Sequence, residues 1–527
     1  MKNIKYIALS ILTLGFLACE NDTLDDLRDR NNIDTDPLPA LTAGSADFSN
    51  YVAIGASFTA GFTDNGLFIA SQQNSFPNTM AQEFAKIGGG TFTQPWMSDN
   101  FGGLALAGNR ILGPRLVFGG AGPVPLESVI GPVTVTTDIA LNNPVGPFNN
   151  LGVPGAKSFH LVAQGYGNIA NFPAAANPYA VRLTGNAPNA SILELAIAQN
   201  PTFFTISEVG GNDVLGYATS GGNGTNPITD TATFNASLNA LVAGLTANGS
   251  RGAIGNIPDI TSLSFFTTVP HNPLDPSNPA FGPQIPTLNA TFAALNQAYA
   301  FLGVPERSVV FSETEASPVV IHDESIPNIA AQLAPVLQAG GLDPLTAGLL
   351  ANQFGQSRQA NANDLLTLPS SSVIATLNQD YFDFLVNSGV PAATAGQLSV
   401  NGVTFPLEDT WVLLPSEQQE LADATSAYNA TISSVANANG LALVDLNAIL
   451  EQAATVGIDF DEYNLNTSLV FGGLVSLDGV HLTGRGYALM ANSFLRAIDA
   501  TYGSNFEASG NLAKAGDFPV AYSPLLQ

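Results

Sequence analysis

The feature that most constrains the fold is a set of short apolar runs, each about one strand long, at 51–55, 202–209, 263–269 and 441–446. Continuous apolar runs, rather than alternating ones, mark strands buried on both faces, as in parallel sheets. Helical patterns lie between them: "FPNTMAQEFAKIG" from Phe76, "ASILELAIAQN" from Ala190 and "LADATSAYNATISSVANANG" from Leu421. In the last, Leu421, Ala424, Tyr428, Ile432 and Val435 recur at helical spacing, and Gly440 supplies the stop. Strands alternating with helices predict a three-layer α/β/α domain around a mostly parallel sheet.

The middle of the chain interrupts that rhythm. From 272 to 415 there are proline-rich loops, a candidate helix at 288–302, a short strand near 308–311 and an Ala/Leu-rich helical region at 326–352. This stretch reads as a mainly helical insertion, a lid or a substrate-binding subdomain, although one that only adds stability fits equally. The α/β core then comprises 46–271 and 416–505. A tail at 506–527 ends in the apolar "FPVAYSPLLQ", which is expected to pack back on the body.

Charge excludes several partners. Asp and Glu total 42 against 15 Lys and Arg, a net charge of −27, and no basic run interrupts it. Nucleic acid and anionic headgroups are repelled by such a surface. Membrane attachment therefore needs an anchor. "MKNIKYIALSILTLGFLAC" supplies a candidate: two lysines, an apolar run and then Ala18-Cys19. This is the layout of a secretory signal peptide, 1–18, too short to span a bilayer. A signal ending in a small residue before cysteine resembles that of a bacterial lipoprotein, with Cys19 lipidated, although Phe16 and Leu17 depart from the usual motif. The resemblance implies export across the inner membrane and anchoring to the outer membrane, on the periplasmic side or at the cell surface. The alternative is an ordinary secretory signal with Cys19 incidental. Cys19 is the only cysteine, so no intrachain disulfide can form. The acidic 19–45 segment reads as a flexible linker.

A serine becomes a nucleophile when a base takes its proton and a third group orients that base. "YVAIGASFTAGFTDNG" places Ser57 in a tight glycine turn after the first apolar run. Of four histidines, only His481 has an Asp three positions earlier, in "LDGVHLTGRGY". At that spacing Asp478 can accept from Nδ1 of His481 and leave Nε2 as the base; it would equally serve as a helix cap near a surface histidine. "TFFTISEVGGNDVLGY" ends an apolar run in Gly210-Gly211-Asn212-Asp213, which can aim an amide donor at the sheet edge or simply make a turn. Gly155 in "NNLGVPGAKSFHLV" offers a backbone N–H, or merely a helix entry. His160, His271 and His322 are scattered, so no metal site is expected.

Together, and in this order, these segments resemble the SGNH hydrolase superfamily, the GDSL-type esterases and lipases. "GGND" and "DGVHLTGRGY" are the specific parts; "GAS" and the Gly155 loop are weaker. The resemblance implies a flavodoxin-like sheet and a serine hydrolase that cleaves lipid, acyl-glycan or small acyl esters without a cofactor. It implies that Ser57 is the nucleophile, His481 the base and Asp478 its orienting acid. The oxyanion hole would be the N–H groups of Ser57 and Gly155 with the Asn212 side chain. One departure stands out: the family's Gly-Asp-Ser is here Gly55-Ala56-Ser57. Support for the Ser57 loop must then come from elsewhere. The rival reading is a surface-binding lipoprotein that keeps the fold without turnover.

Overall fold

The computed structural model describes residues 37–526. The signal-peptide and Cys19 expectations lie outside the described residues, as does most of the linker.

Five parallel strands form the central sheet: β1 (Tyr51–Gly55), β2 (Asn150–Gly152), β3 (Phe203–Ser207), β4 (Arg251–Gly255) and β5 (Ala442–Val444). Their order across the sheet is β2-β1-β3-β4-β5. This is a common doubly wound order, with its topological switch between β1 and β3, where ligands bind outside the carboxyl ends of the strands. Val52, Ala53 and Ile54 of β1 and Phe203, Phe204 and Ile206 of β3 are fully buried, as continuous apolar runs require.

The helices that matter for the site are α1 (Ser57–Ala60), α2 (Phe76–Ala85), α3 (Gly211–Thr219), α4 (Thr231–Thr246), α5 (Pro415–Asn439) and α6 (Gly484–Tyr502). α2 packs on α6, with Phe76 stacked on Phe494 at 5.0 Å. α4 packs on α5, with Phe234 stacked on Tyr428 at 4.1 Å. Both α5 and α6 also touch β4 and β5. The arrangement is α/β and compatible with three layers. α5 ends at Gly440, as its sequence predicts.

Two strand expectations fail, and two strands went unread. The 263–269 run forms the short helix Ser264–Thr267, because an apolar run of this length does not distinguish strand from helix. Tertiary bonds decide it: Phe265 N–H donates to the Gly479 carbonyl and the Ser264 hydroxyl to the Thr467 carbonyl. The strand that does enter the sheet is the glycine-containing "RGAIG" of β4. A Cβ on Gly252 would stand 2.5 Å from the Phe204 ring, so the glycine is what admits that ring. β2, "NLG", is too short to stand out. Near 308–311 no strand forms. The side-chain amides of Asn289 and Asn296 replace strand pairing there, each accepting from one N–H and donating to one carbonyl of Phe311 and Val309.

Residues between Val269 and Leu414 build a second core around Phe292, Tyr299, Phe311, Ile321 and Phe354. It contains the helices Ile285–Phe301, Ala330–Ala339 and Pro344–Phe354 and the antiparallel pair Val320–His322 with Ser357–Gln359. Arg358 ties it together by bonding Asp323 and Asp364 at 2.5 and 2.7 Å. The tail packs back as expected. Tyr522 is buried, and the carbonyls of Tyr522 and Ser523 accept from the fully buried Arg115. Among the described residues no helix is long and apolar enough to cross a membrane.

Candidate active site

β1 delivers its chain to the sheet edge at Gly55, and Ser57 opens α1 immediately beyond. The turn is tight: a Cβ on Gly55 would lie 2.1 Å from Thr59 Oγ1 and 2.7 Å from the Ser207 carbonyl. Ser57 is 6% exposed. Its neighbours' N–H groups are taken. Ala56 and Phe58 donate to Glu208 Oε1 at 2.8 and 2.9 Å, and Thr59 donates more weakly at 3.3 Å. The N–H of Ser57 itself has no acceptor among the described residues.

Glu208 went unread in the sequence. It follows β3 directly, across the switch point from Ser57, and is buried. Its other oxygen accepts from the Ser207 hydroxyl, which in turn bonds Thr59 Oγ1 at 2.6 Å. Burial pushes its carboxyl up to about 7, against the pull of these donors. The one available signal was a lone acid at the end of the apolar run "TISEV".

β3 continues through Gly210, at φ 106°, into α3, whose first turn carries Asn212. Asn212 Nδ2 donates to the Ala156 carbonyl at 3.0 Å. Asp213 is fully buried and accepts both the N–H and the hydroxyl of Ser158, at 2.8 and 2.7 Å. The Asn-Asp pair thus pins the loop that carries Gly155, at φ 80°. Gly155 is exposed, its N–H has no acceptor among the described residues, and it does not line the cavity described below.

Asp478 and His481 lie in the loop before α6. Asp478 Oδ1 accepts the N–H of Val480 and of His481, at 2.9 and 2.8 Å. Its Oδ2 lies 3.0 Å from His481 Nδ1 and accepts the N–H of Asn65 at 2.8 Å. Burial would raise this carboxyl, but the imidazole and the N–H donors outweigh it and hold it well below the usual carboxylate range. An ionised Oδ2 places the imidazole proton on Nδ1, so Nε2 presents its lone pair. The ring is held by Phe62, with centroids 4.7 Å apart, and Phe58, at 5.9 Å.

A turn at 63–66 clamps this loop from the other side. Asp64 Oδ1 accepts the Leu477 N–H at 3.0 Å, and Asp64 N–H donates to Ser476 Oγ at 3.1 Å. Asp64 is buried, and burial pushes its carboxyl up to about 7.

Ser57, Glu208, Asn212 and His481 line one cavity. Its other walls are almost wholly aliphatic, among them Leu215, Ile260, Leu263, Leu446, Leu474 and Leu489. No residue of the second core lines it, so the walls come from the α/β part alone. The geometry provides a serine, an oriented imidazole and an amide donor facing a largely apolar space.

Elsewhere, His160 Nδ1 accepts the Lys157 N–H and its ring stacks on Tyr166 at 4.4 Å, which accounts for it structurally. Glu324, Asp409 and Glu417 bring three carboxylates within 4.8 Å, the one such group among the described residues. Burial pushes Asp409 up to about 7 and Glu417 up to about 9, so protons relieve their mutual repulsion.

No protein-family model, no curated protein and no solved structure matches the chain.

Proposed function

We propose that this chain is a serine ester hydrolase of the SGNH type. The observation that carries the reading is the Asp478–His481 pair, oriented by four hydrogen-bond contacts to one carboxylate, lining one cavity with Ser57. Its position at the topological switch point supports the same reading.

Ser57 Oγ attacks the ester carbonyl carbon while His481 Nε2 takes the hydroxyl proton. Negative charge collects on the carbonyl oxygen, toward the N–H of Ser57 and the Asn212 amide; Gly155, which lies outside the cavity, is left out of this role. As the tetrahedral species collapses, the C–O bond to the alcohol breaks and His481 returns the proton to the departing oxygen. Water then gives a proton to Nε2 and attacks the acyl-enzyme. The acid leaves, and the proton goes back to Ser57. The aliphatic walls favour a substrate whose acyl or alcohol part is a hydrocarbon. With the lipoprotein-like N-terminus, we place the enzyme on the outer membrane through Cys19.

A fluorophosphonate probe tests the reading. Wild type is expected to label, Ser57→Ala is not, and nitrophenyl esters should turn over faster as the acyl chain lengthens from acetyl. A folded wild type that does not label would instead leave a binding protein with this fold.

A further inference from the structure

Glu208 is an expensive residue for its place. It sits at φ 42°, in the left-handed region, where a side chain with a Cβ is strained. Gly210 and Gly211 follow, so the local turn does not lack glycine, yet a glutamate occupies the strained position. Its carboxyl is also buried, which is unfavourable unless every lone pair is used. Here both oxygens are bonded: three N–H groups fall on Oε1 and the Ser207 hydroxyl on Oε2.

The choice of donors is selective. The carboxylate takes the N–H before Ser57 and the N–H after it and leaves that of Ser57 unbonded. A single oxygen that binds the N–H groups of residues 56 and 58 fixes the 55–56 and 57–58 peptide planes, which bracket the 56–57 plane that carries the Ser57 N–H. Anchoring the chain on both flanks confines the peptide that carries the free N–H and the Cα from which Cβ carries the hydroxyl. The tie runs across the sheet from β3, with the Thr59–Ser207 bond as a second strut between the same two loops. The turn itself cannot supply this tie, because Ala56 has no polar side chain.

We propose that Glu208 is the positioning residue of the nucleophile turn, holding Ser57 and its N–H in the attacking geometry from the neighbouring strand in place of a side chain at position 56. The proposal rests on the hydrolase reading. It does not make Glu208 a proton donor or acceptor in the reaction; Glu208 lines the cavity, but its assigned role acts through Ser57.

The test compares Glu208→Ala, Glu208→Met and Glu208→Gln in the full chain. It uses fluorophosphonate labelling rates, kcat and KM on a nitrophenyl ester, and thermal melts. Met preserves bulk without an acceptor, whereas Gln preserves an acceptor oxygen. The Ala and Met variants are expected to lose roughly 10²-fold in labelling rate and kcat, the cost of a misplacement of about 1 Å. KM should move much less than kcat, since the aliphatic walls that hold the substrate are untouched. Gln should recover most of that loss. Folded Met or Ala variants with wild-type kcat would overturn the proposal. So would a Gln variant that does not fold, or one that folds but is as inactive as Met, since a structural role or a need for the charge itself would then explain Glu208. Failure of the wild type to label at all strikes the hydrolase reading instead, so the two failures are separable.

Discussion

Asp478→Asn isolates the orienting carboxylate with the smallest change of shape. The amide keeps Oδ1, so the N–H groups of Val480 and His481 keep their acceptor at 2.9 and 2.8 Å. Where Oδ2 stood, an NH2 now faces two donors, the Asn65 N–H and the His481 Nδ1–H. Asn65 is exposed, and water replaces its lost bond. The imidazole has no such relief. It either swings away or moves its proton to Nε2 and accepts the amide at Nδ1. In that tautomer Nε2 has no lone pair for the Ser57 proton. Wrong-tautomer loss in a Ser-His-Asp triad is about 10⁴-fold in kcat. At about 1.36 kcal/mol per tenfold this is roughly 5.4 kcal/mol of barrier. Folding stability should drop by no more than about 3 kcal/mol, the loss of one hydrogen bond to a charged group. Turnover of a nitrophenyl ester, corrected by active-site titration, measures the first quantity, and a thermal melt the second. A folded Asn variant within about tenfold of wild-type kcat would refute the orienting role, because that loss is too small for a displaced general base.

Stability should fall as pH rises from about 4.5 to 7. Glu208 and Asp64 each have a folded carboxyl at about 7, above their ordinary values of 4.5 and 3.8. Their contribution is fully present below those ordinary values and is lost as pH climbs through the folded ones, on the order of 3 kcal/mol each at full strength. Asp409 and Glu417 act in the same direction, Glu417 up to about 9. Asp478 is lowered, so it acts only below 3.8, with the opposite sign. A melting temperature that rises between pH 5 and 7.5 would contradict this. Deleting 521–527 removes two of the three carbonyls that accept from Arg115, leaving only that of Asn100. A loss of about 1.5–3 kcal/mol is expected, the scale of one good bond to a charged donor, and an unchanged melt would count against it.

Three of the five sheet strands were legible, and the reason is specific. β1, β3 and β5 bury side chains of their own, so their sequences are mainly apolar. β4 packs by absence: Gly252 yields to Phe204, and Gly255 yields to Leu446, where a Cβ would stand 2.7 Å away. Such a strand depends on its neighbours' bulk and leaves little hydrophobic signal of its own. The Asn289 and Asn296 pairings deceive in the opposite way. They give a strand-like stretch its bonds from a helix, so no strand is needed. The 263–269 run became helical through bonds to residues some two hundred positions later, which no local pattern encodes.

The same division runs through the site. Asp478 and His481 were readable because three positions of sequence suffice to bring a carboxylate to an imidazole. Ser57, Glu208 and Asp64 were not readable as a unit, because their partners lie about 150 and 413 residues away. Ala56 made that gap visible: a turn without its own carboxylate had to borrow one or remain loose. The sheet order shows where it could be borrowed. β3 is hydrogen-bonded to β1, pairs Gly55 with Ser207, and ends level with it. A side chain one residue past β3 is thus the nearest place on the sheet from which to reach the N–H groups after β1. The strain at Glu208 and the burial of its carboxyl are the costs of that arrangement, while the bonds on both sides of Ser57 are what it secures.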